Sequence, residues 1–195
     1  MISLVLGLGN IGSKYADTRH NVGFEVVLRV ESELGAARQP GTALYDWALA
    51  RHDERDIALA RPRTYMNRSG LAAEVLCQLR NISPSEMLVV VDDFNLSLGS
   101  LRFRSRGSDG GHNGLASIIE ALQTEQFPRL RLGVGPVPEG ASTIDFVLDR
   151  FTEPEVQPAG EMITAAAEAV VFAIDHRLDL AMSKYNSSPA LPDDE

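Results

Sequence analysis

ISLVLGLGNIG, residues 2–12, decides how the rest of the chain is read. The run 2–6 is almost wholly aliphatic, which fits a strand buried on both faces, and Gly7-Leu8-Gly9 turns it into a glycine loop. Outward from that loop, helix and strand patterns alternate. Apolar spacing predicts a helix over 20–34 and another over 69–79. Residues 43–50 and 57–61, separated by the polar stretch His52-Asp53-Glu54-Arg55-Asp56, pattern as a hairpin. Further strands are expected at 87–91, 100–104 and 130–134. The glycine-rich loop 106–111 feeds a helix that starts at His112-Asn113. Thr152 and Glu155 form a capping box for a long helix whose apolar positions run from 162 to 174. Residues 64–71 and the stretch from 187 onward fit neither pattern. The sum is one α/β domain over 1–186, a twisted, mixed and mostly parallel sheet flanked by helices, followed by a flexible acidic tail at 187–195.

Charge narrows the partners. The formal charge is −9, which by itself argues against a nucleic-acid ligand. Its distribution removes the objection. Residues 1–138 carry 15 basic and 15 acidic side chains, whereas 139–195 carry 3 and 12. A balanced body is free to present a basic face. The opening residues show no basic region or cleavage site of a secretory leader. No apolar run approaches the roughly 18 residues that span a bilayer, so a cytoplasmic protein is expected. The lone Cys77, in a helical apolar pattern, is read as a buried structural thiol.

In open α/β sheets, ligands bind beyond the carboxyl ends of the strands, where loops and helix N-termini converge. Asn10 and His20 follow the first expected strand, Asn67 the strand ending at 61, Asp92 the strand ending at 91, and Asn113 the strand ending at 104. Four segments thus deliver polar side chains to one rim. Histidine is the usual general base near neutral pH, and a neighbouring carboxylate fixes its tautomer, so His20 with Asp92 forms a candidate pair. Asparagines both donate and accept hydrogen bonds without adding charge, which suits an acyl substrate. The chain has no G-x-S-x-G elbow, no H-E-x-x-H and no C-x-x-C. Direct attack by water on an ester, whose alkoxide leaves readily, fits what remains.

Five segments carry a resemblance: GLGNIGSKYADTRHNVGF from Gly7, RPRTYMNRSG from Arg61, DDFNLSLGSLRFR from Asp92, GSDGGHNGLASII from Gly107 and FPRLRLGVG from Phe127. In order and spacing, over residues 2 to about 151, the chain resembles bacterial-type peptidyl-tRNA hydrolases. The resemblance implies cleavage of the ester between a peptide and the 3′-terminal ribose of tRNA, recycling tRNA released during translation. It makes His20 the proton acceptor and Asp92 its orienting partner, and it places Asn10 where blocked and unblocked aminoacyl-tRNA are told apart. Tyr15, Tyr65, Asn67 and Asn113 fall where the tRNA end and peptide bind, with Met66 lining the cleft. Arg104 and Arg131, assisted by Arg102, fall where tRNA phosphate is clamped. A monomer without metal or cofactor is implied. Three positions depart from the family pattern: Ile11 replaces a usual proline and should loosen the loop holding Asn10. Asn95 replaces a common aspartate, a change read as structural, and Asp109 adds an acid that would weaken phosphate contact.

Two other readings compete. Gly7-Leu8-Gly9-Asn10-Ile11-Gly12 matches the dinucleotide fingerprint G-x-G-x-x-G. However, residues 13–19 are polar and irregular where a helix should begin, and Glu31 and Glu33 fall inside a helix where a second strand should end in an acid. A non-catalytic RNA-binding protein of the same fold is the other reading. Taken singly, His20 suits a helix start, Asp92-Asp93 a strand-end turn or a Mg²⁺ site, and Asn113 a helix cap. His52 and His176 are read as ordinary surface residues.

Overall fold

The structure, a computed structural model, describes residues 1–186. The expected acidic tail at 187–195 lies outside the described residues.

Strand β1 (Leu4–Gly7) is buried at every position, and its sequence shows why it has no polar face: helices cover both of its sides. Around it lie β2 (Ala37–Arg38), β3 (Tyr45–His52), β4 (Arg55–Pro62), β5 (Met87–Ser97), β6 (Leu101–Arg104) and β7 (Arg129–Gly135). Their spatial order is β2-β3-β4-β1-β5-β7-β6. The four central strands, β4-β1-β5-β7, run parallel, and both flanks are antiparallel. The expected parallel character therefore belongs to the centre of the sheet. The β3–β4 hairpin is tighter than its polar stretch suggested. Asp53 and Glu54 alone make the turn, both at positive φ, as a two-residue connection matching strand twist requires.

Among the described residues there are six α-helices: α1 (Val22–Glu33), α2 (Ser69–Arg80), α3 (Asn113–Leu122), α4 (Thr143–Leu148), α5 (Glu153–Asp175) and α6 (Leu178–Tyr185). On one face, Val26, Val27 and Val30 of α1 and Met162, Val170 and Ile174 of α5 pack against Val5, Leu88, Val90, Leu130 and Leu132. On the other, Ala72 and Leu76 of α2 and Leu115 and Ile118 of α3 pack against Leu4, Leu6, Val89 and Val91. Residues 64–71, unplaced by pattern, are a 3-10 turn (Met66–Arg68) running into α2. The short elements β2, α4 and α6 lacked sufficient periodicity to be read. The capping box stands as expected: the Glu155 carboxylate accepts from the Thr152 N–H at 2.7 Å and its hydroxyl at 2.8 Å.

Glycine fixes two helix approaches. A Cβ on Gly7 would overlap the Gly23 carbonyl of α1, and one on Gly70 of α2 would overlap the Ser117 carbonyl of α3. Gly70→Ala is accordingly expected to cost about 1–3 kcal/mol by overpacking, read as a lower thermal midpoint in a melting experiment. An unchanged midpoint would show that α2 and α3 can separate freely. Cys77 is buried, and burial, reinforced by Glu86, pushes its thiol up to about 11, consistent with a structural role. Among the described residues, no helix is long and apolar enough to cross a membrane.

Candidate active site

The carboxyl ends of β1 and β4, the middle of β5 and the start of α3 meet at one cleft. Asn10, His20, Tyr65, Met66, Asn67, Asp92 and Asn113 all line it, so the residues read as one rim from sequence do share a surface. Its volume of about 230 Å³ admits an acyl group but no folded RNA. Asp92 lies inside β5, which continues to Ser97, so the strand did not end at 91 as expected. The carboxylate is thereby held by a sheet ladder, a stiffer support than a loop.

His20 sits in a 3-10 turn, Arg19–Asn21, immediately before α1. Its Nδ1 lies 2.8 and 2.9 Å from the two Asp92 carboxylate oxygens. A carboxylate only accepts, so Nδ1 carries the proton and Nε2 is left bare. Asp92 is buried, which alone would push its carboxyl up. The charges of His20 and His112 and their hydrogen bonds outweigh that and hold it well below the usual carboxylate range.

His112 belongs to this arrangement and was missed as a site residue, since the sequence marked it only as the start of a helix and offered Asn113 as the cap. It is both the cap and a partner of Asp92. Its Nδ1 accepts the N–H groups of Gly114 (3.1 Å) and Leu115 (3.3 Å), capping α3. Its proton must then sit on Nε2, which donates to Asp92 Oδ1 at 3.1 Å. The signal available was the adjacency of His112 to Asn113 after a glycine-rich loop. The same tautomer bears on metal binding. His20, Asp92 and His112 bring three possible ligand atoms together, but a metal on His112 Nε2 would move the proton to Nδ1, against two backbone donors.

Asn10 is gripped from two sides. Asn21 Oδ1 accepts its backbone N–H at 2.8 Å, and Asn21 Nδ2 donates to its carbonyl at 3.0 Å, which restrains the loop that Ile11 was expected to loosen. Asn10 Oδ1 accepts the Met66 N–H at 2.8 Å, which orients the amide and leaves Nδ2 as the available donor. Asn67 and Asn113 are exposed at the mouth. Tyr15 does not line the cleft; it meets Tyr65 edge-on at 6.5 Å, just outside. Part of the lining is an apolar wall: Phe94 of β5 with Ile144, Val147 and Leu148 of α4. The sequence reading did not find this wall.

Arg104 on the edge strand β6 and Arg131 on its neighbour β7 do not line the cleft. Arg102 pairs across the ladder with Arg131, and Arg104 with Arg129, so four arginines share a face. Arg131 is ion-paired with Asp93, so its charge is partly committed. Arg129 is buried and donates to the carbonyls of Gly107, Ser108, Glu125 and Phe127, pinning the glycine-rich loop that leads to His112. Burial, against the pull of Glu125, pushes its guanidinium down to about 10. Burial and the neighbouring Arg102 and Arg131 likewise lower Arg104. Asp109, expected to oppose phosphate, also forms a turn: its side chain accepts the Gly111 N–H at 2.8 Å and its carbonyl accepts the His112 N–H at 3.0 Å. Asp93 Oδ1 accepts the Asn95 N–H at 2.9 Å, a local turn contact in keeping with a structural role for Asn95. His52 and His176 lie far from the cleft but are not idle surface. His52 Nε2 meets Asp175 Oδ1 at 2.5 Å, tying the β3–β4 hairpin to α5, and His176 packs edge-on against Phe172.

The acidic excess also has a place. The face of β6–β7 that carries Phe103, Leu130 and Leu132 packs with α5 and α6, which hold six of the twelve acids of residues 139–195, and the arginines point to the other face.

Fold and site together define a class: a single-domain α/β protein in which a bare imidazole nitrogen, its ring held by a carboxylate, shares a cleft with three asparagines and with neither serine nor cysteine in the lining. The glycine fingerprint does not bind a dinucleotide in the usual way, since no helix starts within it and Gly7 and Gly9 are filled against by Gly23 and Phe24 of α1. The chain belongs to the peptidyl-tRNA hydrolase family, whose sequence profile matches residues 4–192. A peptidyl-tRNA hydrolase from Thermotoga petrophila is 41% identical over 184 residues, covering 94% of this chain and 97% of the relative. Another, from Chlorobaculum parvum, is 40% identical over 191 residues, covering 97% and 100%. The crystal structure of the Acinetobacter baumannii peptidyl-tRNA hydrolase superposes with a TM-score of 0.89 at 31% identity, covering 95% of each chain. A 5′-methylthioadenosine nucleosidase from Arabidopsis thaliana, at 10% identity and a TM-score of 0.53, shares the fold alone.

Proposed function

We propose that this protein hydrolyses the ester joining a peptide, or any N-blocked aminoacyl group, to the 3′-terminal ribose of tRNA, with His20 as general base. The observation that carries the reading is the bare Nε2 of His20, held by the Asp92 carboxylate in a cleft flanked by Asn10, Asn67 and Asn113. Nε2 takes a proton from water as the oxygen attacks the ester carbonyl carbon. The amide N–H groups stabilise the charge that develops on the carbonyl oxygen. Collapse of the tetrahedral intermediate breaks the bond to the ribose oxygen, which recovers the proton from the imidazolium. Residues 1–186 form the catalytic domain in this reading, and 187–195 an acidic appendage. It acts as a cytoplasmic monomer without metal or cofactor.

The test is release of free peptide from an N-acetylated aminoacyl-tRNA, compared with the unblocked aminoacyl-tRNA. Hydrolysis of the blocked substrate, with the unblocked one largely spared, is expected. Tight tRNA binding with no ester cleavage would replace this reading with that of an RNA-binding protein.

Because the cleft is too small for RNA, tRNA phosphate must be held elsewhere, and the arginine face of β6–β7 is the proposed place. Binding should weaken as salt rises, and Arg104→Ala should flatten the slope of log affinity against log salt by about 0.7–0.9, one phosphate contact. Arg131→Ala should change it less, since Asp93 already neutralises part of that charge. An affinity flat across salt in the wild type would remove this face from the interface.

A further inference from the structure

Arg19, next in sequence to His20, is a charged side chain only 4% exposed, and the proposed chemistry gives it nothing to do. Its contacts all run to one place. Nη1 donates to the carbonyls of Phe146 (3.3 Å) and Arg150 (2.8 Å), and Nη2 to Glu155 Oε2 at 2.6 Å. The guanidinium lies over the rings of Phe146 (4.3 Å) and Phe151 (5.2 Å). The Arg19 backbone N–H donates to the Asp149 carbonyl at 3.1 Å, and Thr18 bridges to Arg150. The target is the end of α4 and the turn after it.

A helix of six residues does not hold itself in water. A cation on its last carbonyls, locked by a carboxylate that also caps α5, supplies the missing fixation. That helix carries Ile144, Val147 and Leu148, an apolar wall of the cleft that His20 also lines. Ile144 is 66% exposed, an apolar side chain left uncovered at the mouth.

We infer that Arg19 is a positioning residue which sets the distance between the His20 base and the α4 wall, and that the wall selects acyl groups with an apolar side chain beside the ester. The inference rests on the proposed hydrolysis. Lysine at 19 could still meet Glu155, but one ammonium cannot reproduce the planar fork that reaches two carbonyls and a carboxylate together.

The experiment compares N-acetyl-leucyl-tRNA with N-acetyl-glycyl-tRNA, measuring kcat, KM and the pH profile for wild type, Arg19→Lys, Ile144→Ser and the double variant. Wild type should favour the leucyl substrate. Arg19→Lys should raise KM for the leucyl substrate about tenfold, the scale of a lost apolar pocket contact, and change the glycyl substrate far less, with the pH midpoint unmoved. Ile144→Ser, whose exposed side chain makes it safe for folding, should reproduce that pattern. In the double variant the Arg19→Lys effect should be largely absorbed, because both changes act through one wall. Equal losses on both substrates, simple additivity, or a shifted pH midpoint would overturn the inference. So would an Ile144→Ser variant that keeps the full wild-type leucyl preference, a readout that stands even if Arg19→Lys fails to fold. Wild-type turnover without acyl selectivity sinks this inference alone, whereas no turnover of either substrate sinks the proposed hydrolysis and the inference with it.

Discussion

His20→Ala is expected to lower kcat for peptide release by about 10²–10⁴, the range general-base catalysis supplies, with KM close to that of wild type. The reasoning follows from where the imidazole acts. Nε2 points into the cleft with no protein partner and makes its decisive interaction with a water proton that moves only in the transition state, so ground-state binding is largely untouched. The oriented amides and the excluded solvent remain in the variant, which is why residual hydrolysis above the uncatalysed rate should survive. His20→Gln separates folding from chemistry. Its amide can still donate to Asp92, so the buried carboxylate keeps two partners, yet it has no group able to take a proton. Single-turnover assays on a defined N-acetyl-aminoacyl-tRNA, run beside thermal melts, read both. Full turnover in either variant would remove His20 from the mechanism.

The elements that carry these side chains were legible because their causes are local. The aliphatic run into Gly7-Leu8-Gly9 gave β1, the Thr152–Glu155 box gave the start of α5, and the spacing of apolar residues gave α1, α2 and α3. The pairing of His20 with Asp92 could be expected from the rule that strand ends converge. The parts that escaped depend on contacts distant in sequence. Helix α4 is held near its end by Arg19, 127 residues away in sequence from Phe146, and no pattern in its six residues reveals that. His112 was read only as the start of a helix, with Asn113 as the cap; the three-dimensional structure shows one of its nitrogens capping α3 and the other reaching Asp92. Arg131 offered a free charge in sequence and has a partner in the fold, Asp93, two positions past its ladder neighbour Val91.

Asp92→Asn should be at least as damaging as loss of the base, by about 10⁴ in kcat, the effect seen when a carboxylate that fixes a catalytic imidazole becomes an amide. Here the reason can be followed atom by atom. Asp92 accepts two N–H groups, from His20 Nδ1 and from His112 Nε2. Asparagine offers one carbonyl oxygen and one NH₂. The His112 tautomer is fixed by the Gly114 and Leu115 N–H groups on its other nitrogen, so its Nε2–H claims the oxygen. The NH₂ then faces His20, whose Nδ1 must accept and whose proton must move to Nε2, and the base is blocked. Removing the competitor should therefore help: Asp92→Asn with His112→Ala should recover part of the lost rate, although His112→Ala alone is harmful. A double variant no faster than Asp92→Asn would refute the tautomer account. The same carboxylate sets an acid limit on stability. Burial raises its pKa, His20 and His112 lower it further, and the folded value lies below the unfolded one of about 3.9. The stability it contributes is then present above that unfolded value and lost as pH falls through the folded one. Thermal midpoints of the wild type should consequently drop more steeply below about pH 4 than those of Asp92→Asn, and parallel curves would show that Asp92 has no such linkage.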